Sequence, residues 1–250
     1  ANVRMNTAKF SLFSFYVLNY ANSDTSGAGS FPSTPYNISA DYGRANFSVR
    51  SRFILGGTFN APYHFGFSPF IIANSGQPYN LTTGQDYNGD SIYNDRPAFA
   101  TDLSRPSVVR TGVGVFDTAP IAGQTIVPVN YLTGPGNFTI NMRISKVFGF
   151  GKEGAAGGGP QAGGGGEHRG PGGMGPRHGH GPFGGGSTTN RRYNLTLSLH
   201  AMNILNHVNY GNPIGNLSSP YFGVSKSLAG GPFGSNAAVR RIFMQAQFAF

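Results

Sequence analysis

The sequence contains no cysteine, so it holds neither a disulfide framework nor a thiolate zinc site, and thiols say nothing of its redox compartment. Charge is scarce as well: 11% of the 250 residues are charged, against roughly a quarter in an average soluble domain. A water-exposed surface of this size would ordinarily carry more. Long apolar runs are also missing, since no stretch reaches the ~18 consecutive apolar residues of a transmembrane helix. That excludes a helical membrane protein but not a closed β-barrel, in which every backbone N–H and C=O pairs within the protein. The charged and apolar regions of a signal peptide are absent at Ala1, as expected of a mature or partial chain.

Glycine and aromatics are plentiful, with 39 Gly, 21 Phe and 12 Tyr. The net charge of +9 comes from 18 basic residues scattered singly or in pairs such as Arg191-Arg192 and Arg240-Arg241. No dense basic run exists, which argues against a nucleic-acid partner. Dispersed positive charge suits a barrel lumen or a rim facing lipopolysaccharide.

The strongest local signal is period-two alternation, the mark of a strand with two different faces. Ile242, Met244, Ala246, Phe248 and Phe250 alternate with Arg241, Phe243, Gln245, Gln247 and Ala249. Tyr193, Leu195, Leu197, Leu199 and Ala201 alternate with Asn194, Thr196, Ser198 and His200, and Phe138, Ile140, Met142 and Ile144 with Thr139, Asn141, Arg143 and Ser145. Residues 46–60 set Phe47, Val49, Phe53, Leu55 and Phe59 against Ser48, Arg50, Arg52 and Thr58, and a further strand is expected over 65–81. Residues 4–20 are aromatic on both faces and predict one strand without a phase.

Segments of ~10 residues suit tilted strands that cross a bilayer. A soluble β-sandwich predicts turns every 8–12 residues; here long irregular segments intervene. The expected fold is therefore all-β, an antiparallel transmembrane barrel section of about six strands. In bacterial barrels short turns are periplasmic and long loops extracellular. With Phe250 in the periplasm, 21–45, 82–137 and 206–238 become extracellular loops and 60–64 a periplasmic turn. The chain divides into barrel strands and loops (1–150), a Gly/Pro/His-rich insertion (151–190) and two last strands with their loop (191–250). The insertion is nearly half glycine and is expected to be disordered.

Asp86, Asn88, Asp90, Asn94 and Asp95 space oxygen side chains as calcium loops do. Gly89 and Pro97 depart from the EF-hand pattern, and a loop built on Asx-turns is the competing reading. His168, His178 and His180 could hold Zn²⁺ or Ni²⁺, but their Gly-rich tract supplies no fixed geometry. Arg169-Gly170 lacks the repeats and aromatics of RNA-binding Arg-Gly segments. His200 and His207 come with no nucleophile elbow or acid–base spacing, so no enzyme and no catalytic residue is expected.

The blocks ADYGRANFSVRSRFILGGTF (40–59), SPFIIANSGQPYNLTTGQDYNGDSIYNDRPAFA (68–100), NFTINMRISKVFGFG (137–151), RRYNLTLSLHAMNILNHVNYGNPIGNLSSPYFG (191–223) and RRIFMQAQFAF (240–250) resemble TonB-dependent receptors of the Oar-like type, common in Acidobacteria. The resemblance implies a barrel of about 22 strands behind a plug, importing bulky solutes with energy passed through TonB. It also implies that Phe248 and Phe250 form the C-terminal signal read by the barrel assembly machinery. Neither TonB box nor plug lies in these residues, and six strands fall short of the eight of the smallest barrels, so a fragment is expected. Lumen contacts to an unidentified ligand are assigned to Arg50, Arg52, Arg143, Asn194 and His200. Loops 82–137 and 206–238 would capture the ligand, and an adhesive or structural barrel is the alternative. No cofactor is expected beyond the calcium of the 86–95 loop. The remaining partners are outer-membrane lipid and lipopolysaccharide, with TonB engaged only through N-terminal parts.

Overall fold

The computed structural model describes residues 1–27, 29–153, 189–230 and 238–250. Its largest element is one sheet of seven antiparallel strands in sequence order: β1 (Asn2–Asn6), β2 (Phe10–Leu18), β3 (Ser51–Ala61), β4 (Phe65–Asn74), β5 (Asn137–Glu153), β6 (Arg191–Met202) and β7 (Arg241–Ala249). Sheet order that follows chain order makes a meander, with β1 and β7 at its edges. Connections alternate between a turn end, holding 7–9 and 62–64, and a loop end, holding 19–50, 75–136 and 203–240.

The alternation at β5, β6 and β7 holds residue for residue. Register pairs Ile144 with Leu199 and Leu199 with Met244 on one face, and Ser145 with Ser198 and Ser198 with Gln245 on the other. Exposure then decides what kind of sheet this is. Leu197 and Leu199 are 42% and 40% exposed and Met244 81%, whereas Ser198 between the two leucines is 3% exposed. A water-soluble sandwich hides its leucines and shows its serines. The inverted pattern belongs to a wall with lipid on its apolar outer face.

The outer face is also built to a bilayer's height. From Phe138 to Phe148 the strand rises about 34 Å at ~3.4 Å per residue. At a tilt near 40° that is roughly 26 Å, matching the ~25 Å apolar band of such walls. Aromatics gather at its turn end: Phe59 packs on Phe67 at 6.5 Å between centroids, and Tyr193 stacks on Phe248 at 6.0 Å. Lys146 is a cation on the outer face of β5, opposite Phe65 and Leu197. Its ammonium lies 4.3 Å from the Phe65 ring centroid and donates to the Tyr63 carbonyl at 2.5 Å. The long stem thus carries the charge out of the apolar band to the aromatic rim. That bond also braces the 62–64 turn, where Tyr63 and His64 hold positive φ of 61° and 60°, a conformation side chains rarely adopt.

Several expectations need correction. Residues 4–20 are a hairpin and not one strand: β1 and β2 meet at Thr7-Ala8-Lys9, where Thr7 N–H donates to the Phe10 carbonyl at 2.8 Å and Thr7 Oγ1 accepts from Phe10 N–H at 3.0 Å. The sheet therefore has seven strands where six were expected. Alternation failed there because Phe13 and Phe15 point to the inner face, packing on Ile54, Phe70 and Ile72. The strand expected over 46–60 begins at Ser51, since the chain turns at Ala45–Ser48. The strand expected over 65–81 ends at Asn74; Pro78–Tyr79 leave the wall to pair with Leu132–Thr133.

The inner-face apolar cluster depends on one glycine. A Cβ on Gly56 would lie 2.5 Å from Phe13 Cζ and 3.0 Å from Phe70 Cδ2, so only glycine there lets the two rings approach to 6.5 Å. The rest of the inner face is largely polar, with Thr139, Asn141 and Ser145 of β5 and Ser198 of β6 buried.

The long loops at the other end are not irregular. Val108–Thr111, Gly114–Asp117 and Ala98–Phe99 form a three-stranded sheet, and Asn22–Ser23 pair with Gly43–Arg44. Leu81, Phe116, Val127 and Leu132 make a core that Leu217 and Phe222 join from the last loop. The first loop is tied in by a buried ion pair, Arg96 to Asp41 at 2.7 Å, so all three loops pack as one cap. The insertion expected to be disordered lies, over 154–188, outside the described residues, and His168, His178, His180 and Arg169-Gly170 with it.

Candidate ligand site at the loop end of the inner face

Register sorts the five residues expected to line a lumen. Arg52, Arg143 and His200 are on the inner face, paired across strands with Asn74, Ser68 and Phe243. Arg143 donates to Ser198 Oγ from Nη2 at 2.9 Å, and His200 stacks on Phe243 at 4.6 Å. Arg50 precedes β3 and stands exposed at the rim, donating to Tyr20 Oη at 2.7 Å with its guanidinium 4.9 Å from the ring centroid. Asn194 is turned back on its own strand entry: Oδ1 accepts from Thr189 Oγ1 at 2.6 Å and Nδ2 donates to the Arg191 carbonyl at 3.0 Å. Phe248 and Phe250 share the outer face, both exposed, with centroids 6.2 Å apart.

The 86–95 loop uses its oxygens internally. Asp86 accepts from the N–H groups of Gly89, Asp90 and Ser91 at 2.8, 3.2 and 2.8 Å. Asp90 accepts from Ile92 N–H at 2.8 Å and Asp95 from Tyr87 N–H at 2.6 Å. Asn88 Oδ1 accepts from Asp90 N–H at 3.0 Å, while Asn94 Nδ2 donates to the Phe31 and Pro32 carbonyls. The Asn88 and Asp90 contacts are Asx-turns, and those of Asp86 and Asp95 close the loop around them. Among the described residues no group of three or more His, Asp or Glu side chains converges as a metal site would require.

Two clefts open beside the cap. One, of about 490 Å³, lies between residues 23–33 and the segments around Asn80 and Asn130. Several of its polar groups are structural: Asp41 accepts from Ser33 N–H and Arg96, and Asn130 Nδ2 donates to the Arg44 carbonyl at 2.6 Å. The second, of about 460 Å³, sits where the inner face of β3, β4 and β5 meets the last loop at Asn209–Asn212, within the ~300–1,000 Å³ range of ligand sites. Its floor is a row fixed by register: Arg52 opposite Asn74, and Asn74 opposite Asn137. Phe47 and Tyr210 stand exposed on its rim. Asn74 and Asn137 were missed in the sequence because one closes β4 and the other opens β5 63 residues later, and only the pairing of those strands joins them.

The cap's charges are set by burial and pairing. Burial lowers the Arg96 pKa below its ordinary value while Asp41 and Asp95 oppose that pull, so the guanidinium keeps its charge. Burial alone would raise the Asp117 carboxyl. Hydrogen bonds from Ser107, Gln124 and the Ala119 N–H, with Arg105 at 2.8 Å, outweigh it and hold the pKa below the usual carboxylate value. The Tyr79 phenol is raised by burial.

A family model described as an outer membrane beta barrel domain matches residues 16–156, more than half of the chain. No curated protein and no solved structure matches.

Proposed function

Because the chain belongs to the outer membrane beta barrel domain family, we propose that it forms the C-terminal wall of a TonB-dependent receptor of the Oar-like type, within a barrel of about 22 strands. The protein resides in the outer membrane. In this reading the loop end faces the exterior and the turn end the periplasm, as the lengths of the described connections favour. The cap and the cleft beneath it capture a bulky polar solute, which then passes along the inner face by Arg52, Arg143 and His200.

The observation that carries the reading is the inner face itself. Ser145, Ser198, Asn141 and Thr139 are buried there in a row running away from the cleft, a polar track behind an apolar exterior. Energy coupling would come through TonB and a plug supplied by other parts of the protein. Binding with transport is the whole of the proposed activity. Phe248 and Phe250 would present the assembly signal, and the outer face would contact lipid and lipopolysaccharide.

The test is uptake in cells producing the full-length protein. Solute accumulation that collapses on adding a protonophore is the expected result. Surface binding that persists while accumulation never occurs, with or without the proton gradient, would favour the adhesive barrel, a reading supported by the packed and ion-paired cap.

A further inference from the structure

We propose that Arg52, Asn74 and Asn137 bind an oligosaccharide bearing a carboxylate. The proposal deepens the receptor reading and rests on it for access to the inner face from the cell exterior.

What singles out these three is that they are uncommitted. The amides around them already serve the fold: Gln77 Nε2 donates to the Asn46 carbonyl at 2.7 Å, Asn212 Nδ2 to the Pro78 carbonyl at 3.3 Å, and Asn209 Oδ1 accepts from Phe138 N–H at 2.7 Å. Among the described residues the side chains of Arg52, Asn74 and Asn137 have no hydrogen-bond or ion-pair partner, and Oδ1 of both asparagines is buried without one. A buried unpaired amide oxygen is costly, so two side by side mark a place where something other than this chain completes the bonding.

The chemistry of the row selects the ligand. Neighbouring strands lie ~4.8 Å apart, so the row offers a guanidinium and two amides at even spacing along one line. Each amide both donates and accepts, as does each hydroxyl of a sugar. The guanidinium has donors only, in a fork that fits a carboxylate through two bonds. Phe47 and Tyr210 add flat apolar faces on which the C–H side of a sugar ring can lie. Among the described residues no acidic side chain lines the cleft, which favours an anion over a cation. An extended peptide would also engage amides, but it needs contiguous pockets for its alternate side chains, whereas among the described residues the aromatic rings of the cleft wall are Phe47 and Tyr210.

The experiment uses outer-membrane vesicles carrying the full-length protein and fluorescently labelled oligogalacturonate, with vesicles lacking the protein as blank. Saturable binding is expected. Arg52→Gln should weaken it about tenfold or more, the loss of one charge-assisted contact, with partial recovery in Arg52→Lys. Asn74→Leu with Asn137→Leu should weaken it comparably. Raising salt from about 50 to 300 mM should weaken the unsubstituted protein more than Arg52→Gln. A second arm uses deacylated lipopolysaccharide core: Arg52-dependent binding of that sugar instead would place the ligand in the membrane's own leaflet, within the same chemistry.

Heat-modifiable electrophoretic mobility establishes that each variant is folded. The proposal is overturned by absence of saturable binding in both arms, by affinities unchanged in the folded variants, or by tighter binding of a neutral malto-oligosaccharide or an acidic peptide. Binding without energised uptake counts against the transport reading alone. Energised uptake of another solute, without acidic-sugar binding, counts against this proposal alone.

Discussion

Replacing Asp41 by Asn should open the cap while leaving the wall intact. Asp41 belongs to the first loop and Arg96 to the second, with side chains 11% and 4% exposed and the two charges 2.7 Å apart. Arg96 also donates to the Ala40 carbonyl at 2.6 Å and the Val127 carbonyl at 3.1 Å. It therefore stays fixed in place when its counter-charge is removed. Stranding a buried charge in this way costs about 3–5 kcal/mol. At 1.36 kcal/mol per decade that is roughly two to three and a half orders of magnitude in the local opening equilibrium. Hydrogen exchange on the membrane-embedded protein reads it directly. The amides of Thr83 and Val127, which bond to the Asp95 and Pro97 carbonyls at 2.8 and 2.9 Å, should lose protection by that factor, while those of β5 and β6 keep theirs. A double replacement, Asp41→Leu with Arg96→Met, should recover much of the loss because neither charge remains to be desolvated. A loss under about tenfold in Asp41→Asn, or an equal loss in the wall strands, would refute the argument.

Four further outcomes follow from the geometry. Asp117 is fully buried and its folded pKa is depressed, so its contribution to stability is complete above the unfolded carboxylate pKa near ~3.9 and is lost as pH falls through the folded value; stepwise proteolysis below about pH 4 should cut the cap before the wall, and Asp117→Asn should show the same susceptibility already at pH 7. Leu199→Arg puts a charge on the lipid-facing side between Ile144 and Met244 and should cost about 2–4 kcal/mol in urea titrations of vesicle-inserted protein; an effect no larger than that of Ser198→Ala would contradict the assignment of faces. Phe250→Ser should slow insertion without altering the stability of assembled protein, as followed by heat-modifiable mobility, and unchanged insertion kinetics would remove Phe250 from the assembly signal. Asp86→Ala deletes three N–H contacts and should loosen residues 86–95 equally with and without millimolar Ca²⁺; a Ca²⁺-dependent gain in protection of the unsubstituted loop would return its oxygens to a cation.

Most of the wall was legible in the sequence because its outer face is apolar along most of each of the last three strands. Leu195, Leu197 and Leu199, or Ile242, Met244 and Ala246, alternate without interruption, and period two is all that a lipid-facing strand demands. Reading failed where the inner face broke the contrast. Phe13 and Phe15 fill a cluster over Gly56, which erased the phase of 4–20, and Thr7-Ala8-Lys9 turns the chain with neither glycine nor proline to announce it. Phe47 and Val49 continued the alternation by coincidence across a bend held by the Ser48 N–H to the Ala45 carbonyl. Of the candidate site, Arg52 could be chosen from its place opposite an apolar face, but its partners could not. Asn74 and Asn137 become neighbours only through strand register, and Leu81, Phe116, Val127 and Leu132 lie at no regular spacing, so the cap they hold together has no local signature.

The cap also carries information about time. Its core draws on residues that leave the ribosome far apart: Ser218 Oγ donates to the Thr83 carbonyl across 135 residues, and Leu217 N–H donates to the Thr82 carbonyl at 2.9 Å. Such distant closures form late, after local hairpins. The second loop can pair its own short strands early, yet its core stays unfinished until the segment following β6 arrives. An antibody that recognises only the completed cap would therefore bind chains in which these distant contacts have closed and ignore chains that have formed hairpins alone, which makes the cap a reporter of finished folding.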